Sequence, residues 1–138
     1  MVKGCSFCSI ALGEAPASIV YEDEDVLAFM DLSPTTVGHT LVVSREHWEN
    51  IYEVPEETLA KVIAIVKRVS DAVRRTIEAD GIMVIQNNGR AAGQMVFHLH
   101  FHVIPVSSNS GVRTRHDGRV ALKRAELDET AQKIQRNI

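Results

Sequence analysis

Short apolar runs recur along the chain, and apolar and polar residues alternate with a period of two in one stretch and with a period near 3.6 in one long stretch. Those two periods predict short strands arranged around one major helix. Ile19-Val20-Tyr21 and Val26-Leu27-Ala28-Phe29-Met30 flank the acidic run Glu22-Asp23-Glu24-Asp25, which predicts a hairpin with a solvated, charged turn. Asp31-Leu32-Ser33-Pro34 follows with turn residues, and residues 38–44 predict a third strand. Between residues 55 and 79 the period lengthens: Leu59, Val62, Ile63, Val66, Val69, Val73 and Ile77 form one apolar stripe, and the charges lie mainly elsewhere. Pro55, Glu56 and Glu57 suit the first turn of this helix, basic residues suit its end, and Gly81 suits its exit.

Residues 82–87 predict a fourth strand, and the glycine-bearing stretch 88–94 leads into Val96-Phe97-His98-Leu99-His100-Phe101-His102-Val103-Ile104-Pro105. There the three histidines alternate with apolar residues, which predicts a strand with one core face and one imidazole face. Ser9-Ile10-Ala11-Leu12-Gly13 predicts a short helix stopped by glycine; Ala131, Ile134 and Ile138, behind Asp128 and Glu129, predict another at the C-terminus. Residues 107–111 form a polar loop, and Arg113, Arg115, His116 and Arg119 read as a solvated segment in preference to an anion patch.

Composition narrows the function classes. With 138 residues and 45% hydrophobic content the chain is one domain long and can bury about two thirds of its unfolded surface. A net charge of −3 gives no global positive field, so stable binding to long nucleic acid is disfavoured. No stretch approaches the ~20 apolar residues of a membrane span, and a cytoplasmic protein is the expectation. Two cysteines three residues apart cannot staple a long loop.

Four groups of residues are candidates for chemistry. Strand residues two apart are about 6.6 Å apart on the same face, so one phosphorus centre can be approached by His100 while its neighbours flank it. Neutral imidazole is a competent nucleophile toward phosphorus bearing a good leaving group, and a second imidazole can pass the proton. Glycines in the 88–94 loop allow a backbone cradle for an anion, with the N–H groups of Gly93 and Gln94 as donors; an ordinary hairpin turn is the alternative. Cys5-Ser6-Phe7-Cys8 supplies half of a tetrahedral zinc site, or else two buried thiols. Asp31 either faces a cleft at its strand end or caps the turn at Ser33, and His39 and His47, taken singly, are more often structural.

In order along the chain, the C-x2-C opening, Asp31-Leu32-Ser33-Pro34, Gly38-His39-Thr40-Leu41-Val42-Val43, residues 87–94 and His98-Leu99-His100-Phe101-His102-Val103-Ile104 resemble the signature of the histidine triad (HIT) nucleotide hydrolases and transferases. The resemblance implies an α+β fold: a roughly five-stranded antiparallel sheet with one long amphipathic helix packed on it and short terminal helices. It also implies a single domain over 1–138, with 106–138 as a variable C-terminal segment. By the same resemblance His100 is the nucleophile that takes up a nucleoside monophosphate, supported by His98, His102 and the fourth histidine, His39. Asp31 matches the carboxylate that holds the ribose, and Phe7, Ile10, Phe29 and Leu32 the walls of the base pocket. Asn87, Gly93, Gln94 and Met95 match the phosphate surroundings. Met95 stands where many members carry Ser or Thr, and a thioether cannot replace a hydroxyl donor.

Zinc-bearing members join the C-x2-C pair to two histidines, which here are His47 and His98, giving the set Cys5, Cys8, His47 and His98. That site would be structural, with no organic cofactor needed. The implied partners are a purine nucleotide, most simply an adenosine nucleotide, and a second copy of the chain in a homodimer. Two alternatives stand beside the enzyme: a purine-nucleotide-binding regulatory module with weak or no turnover, and a metal-dependent hydrolase, which would want carboxylates interleaved with the histidines.

Overall fold

The computed structural model describes residues 2–108 and 120–138. The arginine-rich stretch at 113–119 and most of the polar loop before it lie outside the described residues. In chain order the elements are α1 (Ser6–Ala11), β1 (Ile19–Glu22), β2 (Val26–Met30), β3 (Thr40–Ser44), α2 (Glu56–Ile77), β4 (Gly81–Ile85), a single 3-10 turn (Arg90–Ala92), β5 (His100–Val106) and α3 (Arg124–Gln135). The strands form one antiparallel sheet in the order β1-β2-β3-β5-β4.

Cross-strand register gives the sheet two faces. Ala28 pairs Val42, which pairs Phe101, and Met30 pairs Thr40, which pairs Val103. These rows meet Val62, Ile65, Val66, Val69, Ala72 and Val73 of α2 and Leu127, Ala131 and Ile134 of α3 in the larger core. On the other face Leu27 pairs Val43, which pairs His100, and Phe29 pairs Leu41, which pairs His102. Phe7 of α1 closes over that side in a smaller cluster with Leu27, Phe29, Leu41 and Val43. The histidines thus sit at the edge of an apolar layer, and the large helix packs behind them.

Four sequence expectations change in detail. Ile63 is 46% exposed while Ile65 is 6% exposed, because 62, 65, 66, 69, 72 and 73 keep the tighter helical spacing and 63 falls beside it. The exit of α2 is made by Glu78, left-handed at φ 57°, and Gly81 instead opens β4 opposite Val106. Helix α1 starts three residues earlier than its glycine-stopped end suggested, since the Cys5 sulfur accepts the Cys8 N–H at 3.4 Å as an N-cap. Finally, β5 begins at His100 and leaves His98 ahead of the strand. The Leu99 N–H donates to the Trp48 carbonyl at 2.7 Å, which stitches this approach to the segment carrying His47. Among the described residues no helix is long and apolar enough to cross a membrane.

Candidate functional site

The site begins with the main chain that fixes each imidazole. His98 offers its carbonyl oxygen to His100 Nδ1 at 2.7 Å; a carbonyl can only accept, so the proton is on Nδ1 and the Nε2 of His100 carries the lone pair. His100 is 8% exposed, and burial pushes its pKa below the ordinary histidine value, against the opposing effect of that carbonyl. The ring is held neutral, which keeps the lone pair.

His39 and His102 are fixed in the same way, from a different end. The Thr35 N–H donates to His39 Nδ1 at 3.0 Å, so Nε2 carries the proton on this fully buried ring. That Nε2 is 3.0 Å from His102 Nδ1 and 3.5 Å from Asp31 Oδ2. His102 Nδ1 therefore accepts, and its own proton resides on Nε2. Asp31, His39 and His102 also converge closely enough to suggest a cation site. The donor set does not fit one, because both lone-pair positions of His39 would have to be bare while Nδ1 is already bound to a main-chain N–H. A hydrogen-bond relay accounts for the trio.

A cavity of about 410 Å³ lies in front of these rings, within the ~300–1,000 Å³ usual for small-molecule sites. Of the residues singled out in the sequence, Phe7, Ile10, Phe29, Asp31, Leu32, Gly93, Met95, His100 and His102 line it. The ring of Phe7 stands edge-on to His100 at 5.2 Å between centroids and to Phe29 at 5.3 Å. Asp31 satisfies both of its sequence readings: Oδ1 accepts the Ser33 N–H at 2.8 Å, and the carboxylate still faces the cavity.

Asn87 and Gln94 stand behind the wall. Asn87 Nδ2 donates to the Ala92 carbonyl at 2.7 Å. Gln94 is 2% exposed; its Oε1 accepts from the Gly89 N–H at 2.7 Å and its Nε2 donates to the Glu49 carbonyl at 2.7 Å. The expected cradle of Gly93 and Gln94 N–H groups is corrected by the 3-10 turn, which consumes them on the carbonyls of Arg90 and Gly89 at 3.0 and 3.1 Å. The Met95 N–H has no partner among the described residues, and Met95 lines the cavity. Sequence reasoning missed Pro16 and Ala17 in the wall and the Thr35 amide behind His39. Leu41 carried a signal, since it shares a face with Val43 two residues on; the others carried none.

Cys5, Cys8, His47 and His98 form a separate cluster whose ligand atoms all lie within 4.8 Å of one another. His98 Nδ1 is 3.4 Å from Cys5 Sγ and 3.6 Å from Cys8 Sγ, and His47 Nδ1 is 3.4 Å from Cys8 Sγ. Zinc bonds of about 2.3 Å to sulfur and about 2.0–2.1 Å to nitrogen, set at the tetrahedral angle, separate S from N by ~3.6 Å. The donors have that spacing. Two thiols aimed at the one lone pair of His98 Nδ1 are also poorly served by S–H···N bonds alone, whereas a shared cation serves them all. His98 Nε2 donates to the Ser44 carbonyl at 2.6 Å, which fixes Nδ1 as the inward nitrogen. Burial lowers the His98 pKa to about 4 and raises that of the Cys8 thiol. The cluster fits zinc.

Comparison with known proteins agrees with this geometry. Residues 12–109 match the family model described as HIT domain. An uncharacterised HIT-like protein of Methanocaldococcus jannaschii is 43% identical over 134 residues, covering 94% of this chain and 98% of its own length. The adenosine 5′-monophosphoramidase of Schizosaccharomyces pombe is 42% identical over 101 residues, 73% of each chain. Among solved structures, the zinc-bound histidine triad family protein of Mycobacterium smegmatis superposes with a TM-score of 0.85 at 36% identity, covering 97% of this chain and 92% of that one.

Proposed function

Because the chain belongs to the HIT domain family, we propose that it hydrolyses or transfers a nucleoside monophosphate, taken from an adenosine nucleotide, through a covalent intermediate on His100. One observation carries this: the His98 carbonyl holds the proton of His100 on Nδ1 and leaves the lone pair of a neutral ring on Nε2 at the cavity. In the first step that lone pair forms a P–N bond to the α-phosphorus while the bond to the leaving group breaks. The Nε2–H of His102 hydrogen-bonds the departing atom as charge develops on it, and the proton that the leaving group keeps comes from solvent. In the second step water adds to the phosphorus, its released proton passes to solvent, and the P–N bond breaks with its electron pair returning to His100. The His39–Asp31 side of the relay holds His102 in that tautomer, and the Met95 N–H would meet charge on the phosphoryl oxygens.

Phe7, Ile10, Phe29 and Leu32 would hold the base and Asp31 the ribose hydroxyls, with Asn87 and Gln94 supporting the phosphate loop from behind. Adenosine 5′-phosphoramidates, acyl adenylates and dinucleoside polyphosphates are the substrate classes that this chemistry serves. The fission-yeast relative named as a monophosphoramidase supports the first of them. Cys5, Cys8, His47 and His98 would hold a structural zinc, which when bound supplies a rigid anchor and no reacting group. Thiol ligands suit a reducing compartment, the cytoplasm. A homodimer belongs to the same proposal: β4 closes one edge of the sheet, with Val84 48% exposed on it.

A second function, a purine-nucleotide-binding regulatory module with weak turnover, is favoured by one residue. Met95 is 83% exposed at the cavity and offers the leaving group no hydroxyl. AMP release from adenosine 5′-phosphoramidate and from diadenosine tetraphosphate, compared in the wild type and His100→Ala, separates the two. The enzyme shows wild-type turnover that the variant loses while still binding AMP. AMP binding with no turnover of either compound identifies the binding module.

A further inference from the structure

Helix α1 belongs to two sites at once. Its N-cap Cys5 and its buried Cys8 are half of the metal cluster, and between and beyond them Ser6, Phe7 and Ile10 line the nucleotide cavity. Phe7, enclosed between the two sulfur donors in sequence, sets its ring edge-on against both His98 at 5.8 Å and His100 at 5.2 Å. His98 in turn belongs to the cluster through Nδ1 and orients His100 through its carbonyl. Six residues are too few to form a helix stable by itself in water, so the position of α1 depends on what grips its ends.

The far end has one conspicuous grip. Arg45 donates from Nη1 to the Ala11 carbonyl at 2.9 Å, from Nε to the Asp23 carbonyl at 2.6 Å, and from Nη2 to Glu22 Oε2 at 2.9 Å. Its guanidinium thereby ties the last turn of α1 to the β1–β2 hairpin and places a cation where the helix dipole favours one. Arg45 touches neither the cavity nor the metal cluster.

We propose that the two ends of α1 together set nucleotide affinity: zinc in the Cys5/Cys8/His47/His98 cluster and the Arg45 strap hold the Phe7–Ile10 wall in place, so metal and nucleotide bind with positive linkage and Arg45 is a positioning residue. The proposal rests on the nucleotide assignment of the cavity. Linkage is reciprocal, so the factor by which zinc tightens AMP is the factor by which AMP tightens zinc.

The test is AMP affinity by calorimetry on zinc-loaded and chelator-stripped protein, with zinc affinity by competition against a chromophoric chelator, with and without saturating AMP. Zinc loading is expected to tighten AMP at least about fivefold, with an equal change in the reverse direction. In zinc-loaded Arg45→Ala, AMP should bind several-fold more weakly with the zinc content intact, and Arg45→Lys should recover part of the loss through the Ala11 carbonyl. Circular dichroism of the stripped protein shows whether it remains folded; where it does not, the Arg45 variants decide. Equal AMP affinities in loaded and folded metal-free protein, or wild-type AMP affinity in folded Arg45→Ala, overturn the linkage. If the zinc-loaded wild type binds no AMP at all, the nucleotide assignment fails and takes the linkage with it, an outcome distinct from equal affinities.

Discussion

His39 Nε2 lies 3.0 Å from His102 Nδ1, and the proton between them belongs to His39 because the Thr35 N–H occupies the other nitrogen of that ring. A residue with no direct place in the cavity wall therefore dictates which nitrogen of His102 carries the proton that, in the proposed mechanism, meets the leaving group. His39→Ala removes that instruction. Turnover of adenosine 5′-phosphoramidate should fall by about 10–100-fold, below the ~10²–10⁴-fold of losing an acid outright. AMP affinity should stay within about threefold, since Phe7 keeps its place and the Ser33 N–H still holds Asp31 Oδ1 when its His39 contact is lost; single-turnover rates and calorimetry on the same preparation make the check.

Met95→Ser adds an oxygen donor at an exposed position of the cavity rim. Stability should change by no more than about 0.5 kcal/mol, as is usual for exposed substitutions. The kcat/KM for the phosphoramidate should rise several-fold, with a smaller change for diadenosine tetraphosphate, whose leaving phosphate needs less help from a proton. A uniform change in both substrates would show that the hydroxyl acts on binding alone.

Metal analysis of protein grown with zinc should give about one ion per chain, and the melting temperature should drop on chelation. Cys8→Ser replaces a buried sulfur at 3.4 Å from His47 and 3.6 Å from His98 and should abolish stoichiometric loading. Elemental analysis of variant and wild type side by side reads the result; undiminished zinc in Cys8→Ser would place the ion elsewhere.

Ile65→Ala should destabilise the protein by about 2–4 kcal/mol, because the side chain is buried between α2 and the sheet. Ile63→Gln should stay within about 0.5 kcal/mol in the isolated chain. Urea unfolding of the pair distinguishes the observed helix face from one centred on Ile63, and sedimentation of Ile63→Gln shows whether an assembly uses that surface.

Local pattern was sufficient for the elements. The short apolar runs at 26–30 and 40–44, the alternation at 100–103 and the helical stripe at 56–77 each produced the element they implied. The ordered motifs also picked out the histidines, cysteines and carboxylate that the fold brings together, because residue type limits the chemistry before any folding. Long-range placement was another matter. That His98 leaves the strand to face two cysteines 93 and 90 positions away, that Thr35 chooses the tautomer of His39, and that Arg45 grips Ala11 follow from main-chain groups brought together by folding. A backbone amide or carbonyl has the same chemistry at every position and leaves no trace in the sequence. The chain's letters named the side chains that gather at the cavity and at the cysteine cluster, and only the packed sheet decided where their protons lie.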